Sequence, residues 1–243
     1  QFNMDSEIVQ DQNVRKAIEM GIDKEGFCSV IMEGRGIPAK GAFPGSFSYG
    51  NDAVETVSYD PEEAKKLLEE SGWTDTDGDG YVDKDGQKLT INWLTYPTRL
   101  EQPKLAEYAQ ATLKEIGIDV SVNNTSDHRT YAENGEFDVY VSSLTTAPTG
   151  DPEYFFSSTV TGSKNYGNYQ NDEVTKLTEQ LHQTFDTDER GKLAVELQQK
   201  ILDDDAYFFV SHLNMGIVTK ANVTGMAAHP CDYYEITADL DVQ

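Results

Sequence analysis

The feature that most constrains the fold is a regular alternation of strand and helix patterns in the middle of the chain. Residues 89–93, 118–122 and 137–141 read as short strands, because apolar side chains recur in them at alternate positions. Residues 98–116 carry apolar side chains at helical spacing, and a shorter helix is predicted from Asp127. The order strand, helix, strand, helix, strand predicts an α/β fold, in which a mostly parallel central sheet is flanked by helices and joined by right-handed crossovers.

The segments on either side add helices and no second domain. Helical spacing predicts a helix around Val14 to Ile18 and a second from Asp23 to Ile31, which Gly34 and Gly36 end. Two further helices are predicted at 171–185 and 188–202, and strands at 206–210 and 215–219. Residues 34–57 have no clear period and are predicted to be a long ordered loop over the surface. Because no linker or repeat divides these segments, the chain is predicted to form one α/β unit over residues 1–243.

Residues 58–73 specify a helix with a well-defined start. The Asp60 side chain can cap the first turn, Pro61 suits the first helical position, and two glutamates follow where the helix dipole is positive. Ala64, Leu67 and Leu68 form one apolar face, and Gly72 ends the helix.

An aspartate loop follows directly. Asp75, Asp77, Asp79 and Gly80 match the first half of an EF-hand calcium loop. Gly86 stands where an EF-hand loop has its bidentate glutamate. Asp83 or Asp85 would therefore have to complete the coordination shell of the calcium ion. The candidate calcium ligands are Asp75, Asp77, Asp79, Tyr81, Asp83 and Asp85. The alternative is a tight turn in which aspartate side chains bind backbone amides without a metal.

Composition excludes several classes of partner. The net charge of −24 argues against nucleic acid or an anionic membrane, since either would repel the chain. The two cysteines, Cys28 and Cys231, rule out a disulfide framework, and Cys28 is predicted to lie in the core. No apolar run approaches the ~20 residues that a membrane span needs. A start at Gln1 and Phe2, without Met, suggests a processed chain or an excised fragment.

The sequence contains no catalytic motif. It lacks a nucleophile elbow, a phosphate loop and a Cys/His pair, and its four histidines are scattered without metal-ligand spacing. His212 is predicted to be a structural histidine at a strand end. An enzyme that uses paired carboxylates is an alternative supported only by the abundance of carboxylates. We therefore expect no enzymatic activity and no required cofactor, with calcium as the one candidate ion.

The position of two loops indicates a binding site instead. Ligands of open α/β sheets bind beside loops that leave the carboxyl ends of strands. The loop 94–99 offers Tyr96 as an amphipathic surface and Arg99 as a partner for a carboxylate. The loop 144–151 offers the hydroxyls of Thr145, Thr146 and Thr149. The alternative is that both are solvent loops and that Asp151 only begins a helix.

Several segments together resemble one family, the peptide and nickel type extracellular solute-binding proteins of ABC importers, family 5. The resemblance is carried by NVRKAIEMGIDKEGF at 13–27, YDPEEAKKLLEESGW at 59–73 with its DTDGDG continuation, LKEIGIDV at 113–120 and GDPEYFF at 150–156. It implies a type II periplasmic-binding fold of two lobes that close on a solute, which then passes to a membrane ABC permease. The chain resembles the carboxyl-side lobe, with hinge strands near 1–5 and 230–243 leading to a missing first lobe.

The resemblance also bears on the ligand and on location. It implies an oligopeptide, dipeptide or metal-chelate solute and an extracytoplasmic protein of the periplasm or a cell-surface lipoprotein. Asn214 and Met215 join the candidate contacts on the hinge side. In dipeptide-binding relatives an acidic residue binds the peptide amino group, near the place where this chain has Ala147 and Pro148. In nickel-binding relatives a histidine stands near the positions that are Ser163, Lys164 and Asn165 in this chain. A calcium-binding structural module without solute capture is the alternative function, and the isolated lobe is expected to bind solute weakly.

Overall fold

The computed structural model describes residues 1–228 and 236–243. Its helices are α1 (Gln12–Met20), α2 (Lys24–Gly26, continued by a π-helical turn at Phe27–Ile31), α3 (Pro61–Glu70), α4 (Glu101–Lys114), α5 (His128–Glu133), α6 (Glu153–Phe155, continued by a π-helical turn at Phe156–Val160), α7 (Asp172–Gln183) and α8 (Thr187–Asp203). A short 3₁₀ turn spans Asn51–Ala53. The strands are β1 (Gly36–Pro38), β2 (Asp83–Lys84), β3 (Gln87–Lys88), β4 (Thr90–Thr95), β5 (Asp119–Asn124), β6 (Val139–Tyr140), β7 (Ser211–Leu213), β8 (Val223–Thr224) and β9 (Asp241–Val242).

The central sheet has three strands in the order β5, β4, β6, all parallel. Thr90 of β4 faces Asp119 of β5, and Trp93 of β4 faces Val139 of β6. The connections run through α4 and α5, as the alternating pattern predicts, although β6 is shorter than the predicted strand 137–141. The remaining described strands form antiparallel pairs, β1 with β7, β2 with β3 and β8 with β9. The prediction of an α/β fold with a parallel central sheet is confirmed.

The first residues of the chain join the edge of this sheet. Phe2 is buried and forms an antiparallel bridge with Val139, and the Asn3 amide donates to the Asp138 carbonyl at 2.9 Å. This contact suits the predicted hinge strand near residues 1–5, whose role as a hinge stays a prediction. Of the predicted return strand at 230–243, residues 230–235 lie outside the described part of the chain, and Asp241–Val242 pair with β8.

Two hydrophobic clusters hold most of the buried side chains. The first lies under one face of the sheet, where α1, α3 and α4 pack against Ile91, Trp93 and Val120. The second packs α7 and α8 against α6 and its π-helical turn. Cys28 is 2 % exposed within the first cluster, which confirms its predicted core position, and Cys231 is outside the described residues.

Side-chain caps set the starts of several helices. Asp60 accepts a hydrogen bond from the Glu63 amide at 3.0 Å at the start of α3, and Pro61 takes the first helical position, as predicted. Asp23, Asn171 and Asp186 cap α2, α7 and α8 in the same way. Asp151 accepts from the Glu153 amide at 2.9 Å as α6 begins. These devices satisfy amides that have no partner inside the helix.

The prediction for residues 34–57 was wrong about their position. The segment contains β1 and the 3₁₀ turn, and its side chains enter the core at Ala42, Phe43 and Tyr49, where Phe43 packs edge-on against Phe155 and Phe156. The absence of a local period therefore reflects an irregular backbone with buried side chains.

The two predicted terminal strands were also misplaced. Ala206, Tyr207 and Phe208 are buried, but residues 206–210 form no ladder, because an apolar run reports burial and not which backbone groups pair. The strand lies at Ser211–Leu213, where it pairs with β1. Residues 215–219 form no strand, and Val218 is 96 % exposed.

Candidate functional site

The carboxyl ends of β4, β5 and β6 meet at one edge of the central sheet, because the three strands are parallel. The segments that leave this edge are 96–100 after β4, 125–128 after β5 and 141–151 after β6. This edge is where ligands bind in open α/β sheets. Both loops predicted to bind solute therefore begin there.

Aromatic and imidazole rings line this edge. Tyr96 stacks on His128, with ring centroids 4.2 Å apart, and His128 Nδ1 lies 2.6 Å from the Tyr140 hydroxyl. Tyr166 packs edge-on against Tyr140 at 5.7 Å. The sequence reasoning named only Tyr96 of this group. The signal for the others was positional, since His128 follows β5 closely and Tyr140 ends β6.

The His128–Tyr140 pair is uncharged at neutral pH. Burial lowers the pKa of His128, and the nearby Arg129 charge lowers it further. Burial also raises the pKa of Tyr140 above the ordinary tyrosine value, so that the phenol keeps its proton. A neutral imidazole and a phenol can each donate or accept one hydrogen bond, and together they offer an amphipathic surface.

Tyr96 also fixes the start of the second loop. Its hydroxyl accepts a hydrogen bond from the Ser143 amide at 3.0 Å. The Ser143 hydroxyl lies 2.8 Å from both Glu101 Oε1 and the Gln102 amide, and Gln102 also contacts the Thr95 hydroxyl. Tyr96 itself is only 8 % exposed, and its hydroxyl is used inside the protein as the acceptor for the Ser143 amide.

The other predicted residues of the two loops are more open. Arg99 is exposed, and among the described residues its guanidinium forms no ion pair or hydrogen bond. Thr145 and Thr149 are exposed and Thr146 is half-buried, and none of the three hydroxyls has a partner within the described chain. Leu100 and Leu144, beside them, are 81 % and 42 % exposed. The edge thus combines unpaired polar groups with exposed apolar side chains.

Asn214 and Met215 lie in a different part of the fold. The Asn214 amide donates to the Arg35 carbonyl at 2.9 Å, and its side chain approaches the Gly34 carbonyl at 3.4 Å. Met215 is 76 % exposed. Their contacts tie them to the β1–β7 pair instead of the strand ends, and their predicted contact with solute stays a prediction.

The aspartate loop brings three of its carboxylates together. Oxygens of Asp75, Asp77 and Asp83 all lie within 4.8 Å of one another. Asp75 also accepts from the amides of Gly78 and Gly80 at 2.7 and 3.0 Å. The two hydrogen bonds from backbone amides to Asp75 are of the kind expected in the alternative, metal-free turn.

The remaining candidate calcium ligands point elsewhere. Asp79 pairs with Lys88 at 2.7 Å, and the same ammonium lies 4.0 Å from the centre of the Tyr81 ring. Asp85 sits in the β2–β3 turn with a φ of 54°. In this structure Asp79 is not in the cluster with Asp75 and Asp77, because its carboxylate pairs with Lys88, and its role as a calcium ligand stays a prediction. Calcium binding stays a prediction.

A concavity of about 940 Å³ opens on the face of the sheet opposite the first hydrophobic cluster. Its polar lining consists mainly of amides and carboxylates, including Asn92, Asn123, Asp138 and Glu136, and it contains no lysine or arginine. It lies away from Tyr96 and Arg99, and its carboxylates would repel an anionic solute. We therefore place the candidate site at the strand ends.

Among residues 1–228 and 236–243, the helices are too short or too polar to serve as transmembrane segments.

The chain is similar to an oligopeptide-binding protein and to a nickel-binding protein. It is 32 % identical to the oligopeptide-binding protein AppA of Bacillus subtilis, over 97 % of this chain and 45 % of AppA. It is 27 % identical to the nickel-binding periplasmic protein of Escherichia coli, over 89 % of this chain and 43 % of that protein. The chain therefore spans about half the length of these relatives.

Solved structures agree in fold. AppA of B. subtilis in complex with a nonapeptide superposes with a TM-score of 0.78 at 27 % identity, over 96 % of this chain and 48 % of AppA. A nickel ABC transporter protein of Bacillus halodurans gives a TM-score of 0.80 at 28 % identity, over 99 % of this chain and 51 % of that one. The predicted type II periplasmic-binding-protein-like fold is confirmed.

The family model for bacterial extracellular solute-binding proteins, family 5 Middle, matches residues 1–167. This range includes the central sheet, both loops of the candidate site and the aspartate loop. The resemblance drawn from the sequence motifs is confirmed, and the chain belongs to the bacterial extracellular solute-binding proteins of family 5.

Proposed function

We propose that this chain forms one lobe of the solute-binding component of an ABC importer and binds a small solute at the carboxyl ends of β4, β5 and β6. The observation that carries the proposal is the set of unpaired polar groups and exposed apolar side chains at that edge, in a chain of this family. The protein would close a second lobe over the solute and deliver it to a membrane permease. Its relatives are solute-binding proteins and not enzymes.

The charges at the edge favour a solute with an anionic group. Arg99 and Arg129 are both exposed and follow two neighbouring strands, and neither guanidinium has a partner among the described residues. Unpaired arginines are notable in a chain with a net charge of −24, because carboxylates are abundant elsewhere. A guanidinium binds a carboxylate through two parallel hydrogen bonds. A carboxylate is present both in a peptide with a free carboxyl terminus and in many metal chelates.

The rest of the edge supports a partly apolar solute. The Tyr96 and His128 rings and the exposed Leu100 and Leu144 can contact apolar groups, while the threonine hydroxyls can bind backbone-like amides. The loop 144–149 contains no acidic residue that could bind a free amino group. The site therefore fits recognition of a carboxylate better than recognition of an amine.

Location and partners follow from the same proposal. The solute-binding component of such an importer would work outside the cytoplasm, in the periplasm or as a lipoprotein at the cell surface, and would transfer solute to a permease in the membrane. Residues 1–243 would supply one side of the cleft and the other lobe would supply the second side. Closure would bury the solute. The solute would shift the equilibrium towards the closed state by an amount set by the difference between its affinities for the closed and open states.

The test is isothermal titration calorimetry on the full-length protein. The probes are trialanine, the same peptide with an amidated carboxyl terminus, and a nickel–histidine chelate. We expect at least one probe with a free carboxylate to bind. We also expect Arg99→Gln to weaken its affinity by roughly tenfold or more, because a charge-assisted pair is lost. Lys66→Gln, which removes an exposed cation of α3 paired with Glu63, is the matched control and should leave affinity unchanged.

Two results would count against the proposal. If none of the probes binds at millimolar concentration, solute capture of this class is wrong. If a carboxylate solute binds equally well to the wild type and to Arg99→Gln, capture occurs but Arg99 does not recognise the carboxylate.

A further inference from the structure

Arg190, in the first turn of α8, uses all five N–H donors of its guanidinium. Nε and Nη2 donate to the two carboxylate oxygens of Asp151 at 2.8 and 2.6 Å, and Nη2 also donates to Glu153 at 2.9 Å. Nη1 donates to the carbonyls of Leu181 and Thr184, each at 2.6 Å. The Arg190 side chain is only 12 % exposed. A planar guanidinium with every donor occupied fixes the relative positions of its partners.

These partners come from three separate segments. Asp151 closes the loop that carries the candidate threonines, Glu153 begins α6, and the two carbonyls belong to the end of α7. One side chain of α8 therefore joins the end of this loop to the α7–α8 pair. Burial acts to raise the pKa of Asp151, but the hydrogen bonds from Arg190 outweigh it and hold that pKa below its ordinary value. The carboxylate thus stays charged and paired at neutral pH.

The loop is anchored at both ends, and between them Ala147 is buried in the second hydrophobic cluster while the threonine hydroxyls stay unpaired. At its start, the Ser143 amide is held by the Tyr96 hydroxyl at 3.0 Å. At its end, the Gly150 carbonyl accepts from the Tyr49 hydroxyl at 2.6 Å, beside the Asp151–Arg190 contact. The hydroxyls of Thr145, Thr146 and Thr149 have no partner among the described residues. A loop already held in one conformation loses less entropy when a ligand binds.

We propose that Arg190 is a positioning residue of the solute site, which acts through Asp151 to hold the loop Thr145–Gly150 in its binding conformation. The inference rests on the proposed function, since it concerns the same site. Arg190 does not contact solute itself. The alternative is that Arg190 only packs α6 against α7 and α8, in which case its loss would affect stability without affecting binding.

The test compares variants of the full-length protein by solute affinity and by hydrogen exchange of the Gly150 amide without solute, since this amide donates to the Ala147 carbonyl at 3.0 Å inside the loop. Arg190→Lys keeps the charge but not the planar fork. We expect it to weaken binding of the best carboxylate probe by roughly tenfold or more and to speed exchange of this loop amide by a similar factor. The control is Lys192→Gln, two residues after Arg190 in α8, which breaks an exposed ion pair with Glu189. It should change neither the solute affinity nor the exchange rate.

A double variant tests the route through Asp151. Asp151→Asn alone should weaken binding to a similar extent, and its combination with Arg190→Lys should add little, because both remove the same contact. Fully additive losses would mean that Arg190 does not act through Asp151.

The inference is overturned if Arg190→Lys lowers the melting temperature but leaves affinity within about twofold and loop exchange unchanged. If Arg190→Lys does not fold, Asp151→Asn decides the question by the same two measurements. Hydrogen exchange requires no solute. If the wild type binds none of the probes, the proposed function fails. Positioning of the loop by Arg190 is rejected separately, if the loop exchange rate is the same in Arg190→Lys as in the wild type.

Discussion

His212 provides a quantitative test of the fold, because its environment makes stability depend on pH. It lies in β7 opposite Ile37 of β1, and its Nε2 is 3.2 Å from the side-chain oxygen of Asn51. Burial lowers the pKa of His212 from the ordinary value of 6.5 to about 4. In the unfolded chain the same imidazole titrates near 6.5.

The sign of the effect follows from these two values. Above pH 6.5 the imidazole is neutral in both states and contributes no pH dependence. As pH falls from 6.5 to 4 the unfolded state binds a proton that the folded state excludes, so the free energy of unfolding decreases. A difference of about 2.5 pH units corresponds to ~3 kcal/mol, fully lost below pH 4.

The measurement is urea unfolding at several pH values between 7 and 4, for wild type and for His212→Gln. Glutamine keeps a donor for Asn51 and does not titrate. We therefore expect the wild-type stability, relative to the variant, to fall by about 3 kcal/mol over this range. A difference between wild type and His212→Gln that stays constant from pH 7 to 4 would refute the buried environment of His212.

Two further predictions concern the helix start and the binding edge. Asp60→Ala should lower the free energy of unfolding by about 1 kcal/mol in urea titrations, because the Glu63 amide loses its capping hydrogen bond. Asp127→Ala should lower it by less, since Asp127 makes no capping hydrogen bond at the start of α5. An equal cost for both would contradict the capping role of Asp60. Tyr96→Phe should weaken solute binding and speed exchange of the Ser143 amide, which loses its acceptor. Tyr59→Phe, before α3, is the control, because Tyr59 is 39 % exposed and its hydroxyl has no hydrogen bond among the described residues. Unchanged exchange at Ser143 in Tyr96→Phe would show that the contact does not hold the loop.

Elements with a strong local pattern were predicted correctly from sequence. The three parallel strands and the helices α3, α4, α7 and α8 follow from the spacing of apolar residues and from caps such as Asp60 and Asp186. The predictions failed where the burial of the side chains does not match the periodic pattern of apolar residues in the sequence. Residues 206–210 are apolar and buried but form no ladder, and residues 34–57 have no period yet place Phe43 in the core.

The candidate site was predictable in its location but not in its full membership. The rule for open α/β sheets identifies the loops that follow β4 and β6, and it led to Tyr96, Arg99 and the three threonines. It was not applied to the segment after β5, where His128 lies, and it could not identify Arg190, because an isolated polar residue far from the strand ends carries no local signal. The same reason explains Asp79, whose carboxylate pairs with Lys88 nine residues later in the sequence.

The sequence by itself determined the secondary structure of the regular elements, the parallel direction of the central strands and, through its motifs, the family. These properties depend on neighbours within a few residues, or on patterns repeated along the chain. Only the tertiary structure decided which distant residues meet. It brought Tyr96 to Ser143, Arg190 to Asp151 and His212 to Asn51, pairs separated by 47, 39 and 161 residues. Such contacts depend on how the chain packs as a whole, because a hydrogen bond between side chains leaves no periodic trace in the sequence.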